Sequence, residues 1–131
     1  MKNRKLLSLL VILFLSIVVT AQATMIPFAN KNIASASITL SSSMVTTFSC
    51  SANAKYNISV KNVKLEVKNA NGSWSFVKDL SAPPSATNVG NYNKVMDYSS
   101  SCTKGKTYRI KATFYAGTES VDRTSAEKKY Q

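Results

Sequence analysis

Histidine is absent from this 131-residue chain. Ser-His-Asp and Cys-His nucleophile systems are thereby excluded in their usual form, because each needs an imidazole to carry the proton. The commonest metal ligand goes with it, and two cysteines alone do not make a structural zinc site. Acidic residues number only six (Glu66, Asp79, Asp97, Glu119, Asp122 and Glu127). They are scattered, and no motif pairs two carboxylates as glycoside hydrolysis requires. Glycine occurs only at positions 72, 90, 105 and 117, too sparsely for a loop that cradles phosphates. The expectation is a protein that is not an enzyme and carries no cofactor or metal.

Long apolar runs are also scarce. The one present spans Leu6 to Val19, broken only by Ser8 and Ser16. Lys2, Arg4 and Lys5 precede it, and Ala21-Gln22-Ala23 follows with small residues at the −3 and −1 positions of a peptidase site. A positive head, a short apolar middle and a small-x-small end form a secretory signal peptide over 1–23. Its core is too short for a permanent span. Residues 24–32, with Pro27, read as a leader, and 33–131 as one folded domain of a size that buries a modest core. No lipobox cysteine, second apolar span or wall-sorting tail is visible. The mature chain is therefore expected outside the cell, released or held to the envelope by non-covalent contacts, with its oligomeric state open.

Cys50 and Cys102 are the only cysteines. In an exported chain an even count reads as a disulfide. Closing a loop of that length would stabilise the fold by roughly 4 kcal/mol in the loop-entropy picture. Two free thiols or an intermolecular bridge are the alternatives. Without the signal, 14 basic residues face the 6 acids, a net charge of +8. Such a charge favours polyanions, although it also serves simply to keep a secreted domain soluble.

From Ile33 onward Val, Ile, Thr, Ser and Tyr dominate, helical spacing is missing, and turn residues recur about every ten positions, a pattern of all-β sandwiches and barrels. Ala34 to Leu40 alternates moderately. Met44, Thr46, Phe48, Cys50 and Ala52 share one side of a second strand. Val63, Leu65 and Val67 alternate with Lys64, Glu66 and Lys68. Asn71-Gly72 marks a tight turn, and Trp74 to Leu80 returns as the partner strand. Residues 81–91 read as a loop, since Pro83-Pro84 cannot donate to a ladder. Tyr92 to Tyr98 is a weaker strand. Tyr108, Ile110, Ala112 and Phe114 form another clean alternation, and Glu119 to Ser125 the last, about seven strands in all.

The stretch Lys104-Gly105-Lys106-Thr107-Tyr108-Arg109-Ile110-Lys111-Ala112-Thr113-Phe114 resembles the penultimate strand of a fibronectin type III or immunoglobulin-like domain. The layout of a strand cysteine, the Gly72-Ser73-Trp74 hairpin and that segment is similar to small secreted Ig-like domains of bacteria with undefined roles. The resemblance spans most of Ile33 to Ser125 and implies an Ig-like β-sandwich with a tyrosine corner, in which the Tyr108 hydroxyl bonds backbone in the preceding loop. Two departures from the antibody pattern stand out. Cys102 lies six residues before Tyr108, and Trp74 follows a hairpin turn. A Cys50–Cys102 bridge would therefore tie a strand to a loop and would not pin the two sheets together.

In such a topology the Val63–Val67 and Tyr108–Phe114 strands lie side by side. Lys64, Lys68, Arg109 and Lys111 would then share an outer face, with Lys104 and Lys106 at one end of it. The expected function is a secreted binding or interaction module for an anionic envelope polymer, a glycan or a protein partner. The alternative is a secreted cationic effector, an antibacterial protein or inhibitor. An ordinary solvated sheet face is the plain reading of the same lysines. Trp74, Tyr92, Tyr98 and Tyr115 are aromatic candidates for a glycan site; Trp74 shares a hairpin face with Phe76 and is expected in the core, and Tyr115 is expected at the surface. Nucleic-acid recognition has no module beyond charge.

Overall fold

The computed structural model describes residues 31–131. The signal-like segment 1–23 and all of the leader except its last two residues lie outside the described residues. Seven strands follow: β1 (Ile33–Leu40), β2 (Val45–Lys68), β3 (Trp74–Asp79), β4 (Ala86–Asp97), β5 (Thr107–Ala116), β6 (Glu119–Thr124) and β7 (Lys128–Lys129). One turn of 3₁₀ helix, Ser99–Ser101, lies between β4 and β5. All pairings are antiparallel and belong to one sheet.

β2 organises the molecule. A straight strand of its 24 residues would run about 80 Å, whereas a domain of this size has a radius of gyration of about 13 Å. The strand must therefore bend, and it does so at pairing irregularities. Register shifts fall between Ser51 and Tyr56 and between Tyr56 and Ile58 against β4, and between Lys61 and Lys64 against β5. Asn62 sits inside the last of these with φ 53°, a left-handed conformation that asparagine tolerates better than most side chains. The expected interruption between Ala52 and Val63 is thus a set of bulges within one continuous strand.

The bend gives β2 two sets of neighbours. Its first half pairs with β1 on one edge and β4 on the other. Its second half pairs with β5 and, over Lys64–Lys68, with β3. β6 continues the sheet beyond β5. The sheet curls until β1 and β6 approach. Side chains there replace ladder hydrogen bonds: Arg123 Nε donates to the Ala36 carbonyl at 2.8 Å, and Asn32 Nδ2 to the Ala116 carbonyl at 3.0 Å. The result is an all-β half-barrel of seven antiparallel strands.

The concave side is the core. Phe48, Met44, Ile58, Leu65, Ile110 and Phe114 are fully buried there. Phe48, on the first half of β2, stacks edge-on against Tyr98 (centroids 6.4 Å) and tilted against Phe114 of β5 (6.3 Å). This cluster joins the two halves of the curled sheet. The alternations read from sequence in β2 and β5 match the burial, inward Leu65, Tyr108, Ile110, Ala112 and Phe114 between half-exposed or exposed partners. The β5–β6 turn needs Gly117 twice over. Its φ is +61°, and an added Cβ would meet Tyr56 Cδ1 at 3.2 Å and Asn32 Nδ2 at 3.3 Å.

Several expectations are corrected. The predicted loop 81–91 is shorter, because β4 begins at Ala86. Asn71-Gly72 lies in a five-residue connection closed by Asn69 N–H to Ser73 O at 2.8 Å, with positive φ at Gly72 but not at Asn71. Cys50 and Cys102 are both free thiols. Cys50 faces Tyr92 across β2 and β4, whereas Cys102 follows the 3₁₀ turn and donates its backbone N–H to Ser99. That turn leaves β4 after Asp97, which pairs with Val45, five residues along β2 from Cys50.

Candidate polyanion-binding site

The expected basic face lies across β3, β2 and β5. Cross-strand partners share a face, so the pairings Lys64–Lys111 and Glu66–Arg109 set four charged residues together, and Lys68–Trp74 and Glu66–Phe76 extend the row onto β3. Lys64 directly opposite Lys111 is a like-charge pair that alone would be unfavourable. Glu66 offsets it. One carboxylate oxygen takes Arg109 Nε at 2.5 Å, and the other lies 3.5 Å from Lys111 Nζ. Partial burial pushes the Glu66 carboxyl upward, but the hydrogen bond and charge of Arg109, with Lys111, outweigh it and leave it below the ordinary glutamate range. A carboxylate held ionised by two cations is a fixed negative charge and a poor proton donor.

Lys68 is likewise neutralised, by Glu127 at 3.0 Å. Half of the expected polyanion set (Lys68, Arg109 and Lys111) is thus internally paired. Arg109 also lies over the Trp74 ring, 4.2 Å from its centroid, with Lys68 Nζ at 5.9 Å. Trp74 is half-exposed under this cation cover and is not a core residue as its hairpin position suggested. Lys64, Lys104 and Lys106 take no part in an ion pair among the described residues.

Lys104 and Lys106 belong to a second cluster. The short strand β7 pairs with the start of β5, Lys129 opposite Thr107 and Lys128 opposite Tyr108. Gly105 N–H reaches the Tyr130 carbonyl at 2.8 Å and Tyr130 N–H the Lys106 carbonyl at 2.9 Å. Lys104 Nζ lies 5.7 Å from the Tyr130 ring centroid. The chain end therefore folds back along the 103–106 turn and brings Lys104, Lys106, Lys128 and Lys129 to one end of the sheet. Sequence reasoning missed Lys128 and Lys129. Their signal is the Lys-Lys pair itself, but nothing local reveals that it pairs with β5.

Tyr108 holds this end together. Its ring is buried and its hydroxyl accepts the Thr103 N–H at 2.8 Å. The other tyrosines are placed differently from expectation. Tyr92 and Tyr98, taken as glycan candidates, are buried, and their hydroxyls donate to the carbonyls of Pro84 (2.9 Å) and Ser81 (2.6 Å). Burial pushes both phenols up to about 12. They anchor the 81–85 connection and present no platform. Tyr115 is half-buried, with Lys61 Nζ 5.2 Å from its ring centroid.

A shallow groove of about 360 Å³ crosses the outer face over β2, β5 and β6, lined among others by Lys64, Glu66, Lys111, Thr113, Asp122 and Arg123. Asp122 accepts a hydrogen bond from the Thr113 hydroxyl at 2.7 Å. Charges of both signs alternate along it, so it offers no focused field. Among the described residues no three Cys, Asp or Glu side chains converge as a metal site would need. No family model matches the chain, and neither the curated proteins nor the solved structures contain a match.

Proposed function

We propose that the chain is an exported, non-enzymatic binding module of Ig-like build that docks on anionic envelope polymers or glycans through its lysine-rich end. The observation that carries this reading is the convergence of Lys104, Lys106, Lys128 and Lys129, none of which enters an ion pair among the described residues. Five of the six acids are engaged elsewhere: Glu66 and Glu127 with cations, Glu119 and Asp97 with backbone amides, and Asp122 with Thr113. Unpaired lysines on a net cationic domain are the groups that an approaching polyanion meets first. The Ig-like reading draws support from strand neighbours. β1, the first half of β2 and β4 stand where A, B and E stand in that family; the second half of β2, β5 and β6 stand as C, F and G. The export reading rests on residues 1–23.

Heparin chromatography is the direct test. The protein should be retained at low ionic strength and released by salt, since screening lengths are long only in dilute electrolyte. The variant K104Q/K106Q/K128Q/K129Q should elute at clearly lower salt. Elution unchanged from the wild type, or no retention at all, would overturn the proposal.

A further inference from the structure

The described residues expose three large apolar side chains, and two of them are neighbours on β3: Phe76, 58% exposed, and Val77, 40% exposed. β3 pairs only with β2, its outer edge is free, and every residue in it except Trp74 is exposed. The register shift opposite Leu65 and Glu66 leaves Val77 without a partner on β2, so Phe76 and Val77 stand exposed together at a bulge in the strand. Lys78 follows in the same strand and enters no ion pair among the described residues, whereas Glu66 stands opposite Phe76 and the nearby Lys68 and Arg109 are paired with Glu127 and Glu66. The cavities beside β3 are lined by Lys78, Asp79 and Leu80, away from Phe76 and Val77. The apolar pair therefore stands outside those cavities.

We infer that β3 docks on an anionic lipid surface, with Phe76 and Val77 entering the headgroup region and Lys78 meeting lipid phosphates. This inference rests on the cationic reading above and adds to it the part that a soluble polyanion leaves unused. A sulfated or phosphorylated chain in water gains nothing from exposed phenylalanine and valine. A lipid surface rewards apolar burial and cationic contact together, and tryptophan beside the apolar pair suits the same boundary. A partner strand on the free edge of β3 fits less well. The register shift between Leu65 and Glu66 twists the edge, and Lys78-Asp79 charges its end, both features that discourage edge-to-edge pairing.

Trp74 is the only tryptophan in the chain, so its fluorescence reports on β3 without any substitution. Adding vesicles of phosphatidylglycerol and phosphatidylcholine in about a 1:3 ratio, whose negative surface potential attracts lysines, should shift that emission to the blue and carry the protein into the pellet. Pure phosphatidylcholine should do neither. F76S/V77S changes only exposed side chains and should lower vesicle partitioning about tenfold while eluting from heparin at the wild-type salt concentration. Heparin retention with no vesicle binding by the wild type would overturn the lipid inference and leave the polyanion reading standing. Vesicle binding unaltered in F76S/V77S would also overturn it. A dimer lost in that variant would assign β3 to a second copy of the chain instead.

Discussion

The Glu119 carboxylate accepts the backbone N–H of Asn32 at 2.7 Å, joining the first residue of β6 to the entry of β1. The amides of Lys31 (2.7 Å) and Ile33 (3.4 Å) point at the same carboxylate. These strands lie at the two ends of the β1-β2-β5-β6 path, and no ladder joins them. One side chain does there what backbone carbonyls do elsewhere. The hydrogen bonds from Asn32 and its neighbours, with the charge of Lys31, hold the Glu119 carboxyl below its ordinary range.

A depressed carboxyl stabilises the fold in its ionised form. That contribution is present above the unfolded-state value, about 4.3 for glutamate, and is lost as pH falls through the lower folded-state value. Glu66 acts in the same direction. Glu119→Ala should therefore melt below the wild type at pH 7, and the gap should close near pH 2. Thermal melts by circular dichroism at both pH values check this. A gap that persists undiminished in acid would show that the carboxylate charge is not what closes the seam.

Removal of the Tyr108 hydroxyl isolates a single bond. Tyr108→Phe keeps the buried ring but leaves the Thr103 N–H without its acceptor. The expected cost is about 1 kcal/mol, or roughly 4–8 °C in melting temperature for a domain of this length. Because Thr103 precedes Lys104, amide exchange in 103–106 should also quicken, which hydrogen-exchange mass spectrometry would read.

Phe48 should be the most sensitive core position. It is wholly buried and touches both Tyr98 and Phe114. Phe48→Ala should cost about 3–5 kcal/mol, measured by urea unfolding. Phe76→Ala, on the exposed strand, should change stability by less than about 0.5 kcal/mol.

Thiol chemistry follows from burial. Burial pushes the Cys102 thiol up to about 11, with the Asp97 charge adding to it, and raises the Cys50 thiol as well. Little thiolate exists at pH 8, so iodoacetamide should react slowly with the folded protein. In denaturant without reductant both cysteines should label, giving two adducts by mass. No labelling until reductant is added would mean that the two sulfurs are bridged.

Much of this architecture is legible in the residues themselves. Two-residue alternation in Val63–Val67 and Tyr108–Phe114 identifies half-buried strands, because side chains leave a pleated strand on alternate sides whatever the strand pairs with. The absence of histidine and the excess of lysine are facts of composition. The continuity of β2 was hidden, since the bulges at Ser51–Ile58 and Asn62 break the alternation that marks a strand. The places of Trp74, Tyr92 and Tyr98 were hidden too. An aromatic ring reads the same in sequence whether a core covers it or an arginine from a strand 35 positions away does.

Local chemistry, then, determined that this chain makes antiparallel strands of high positive charge, through short-range sterics and side-chain type. Only the tertiary structure decided which lysines are left without an acid, because ion pairing is a matter of a few ångströms between residues such as Lys68 and Glu127, 59 positions apart. It likewise decided that Lys128 and Lys129 join Lys104 and Lys106, since that cluster forms when the chain end hydrogen-bonds to the start of β5.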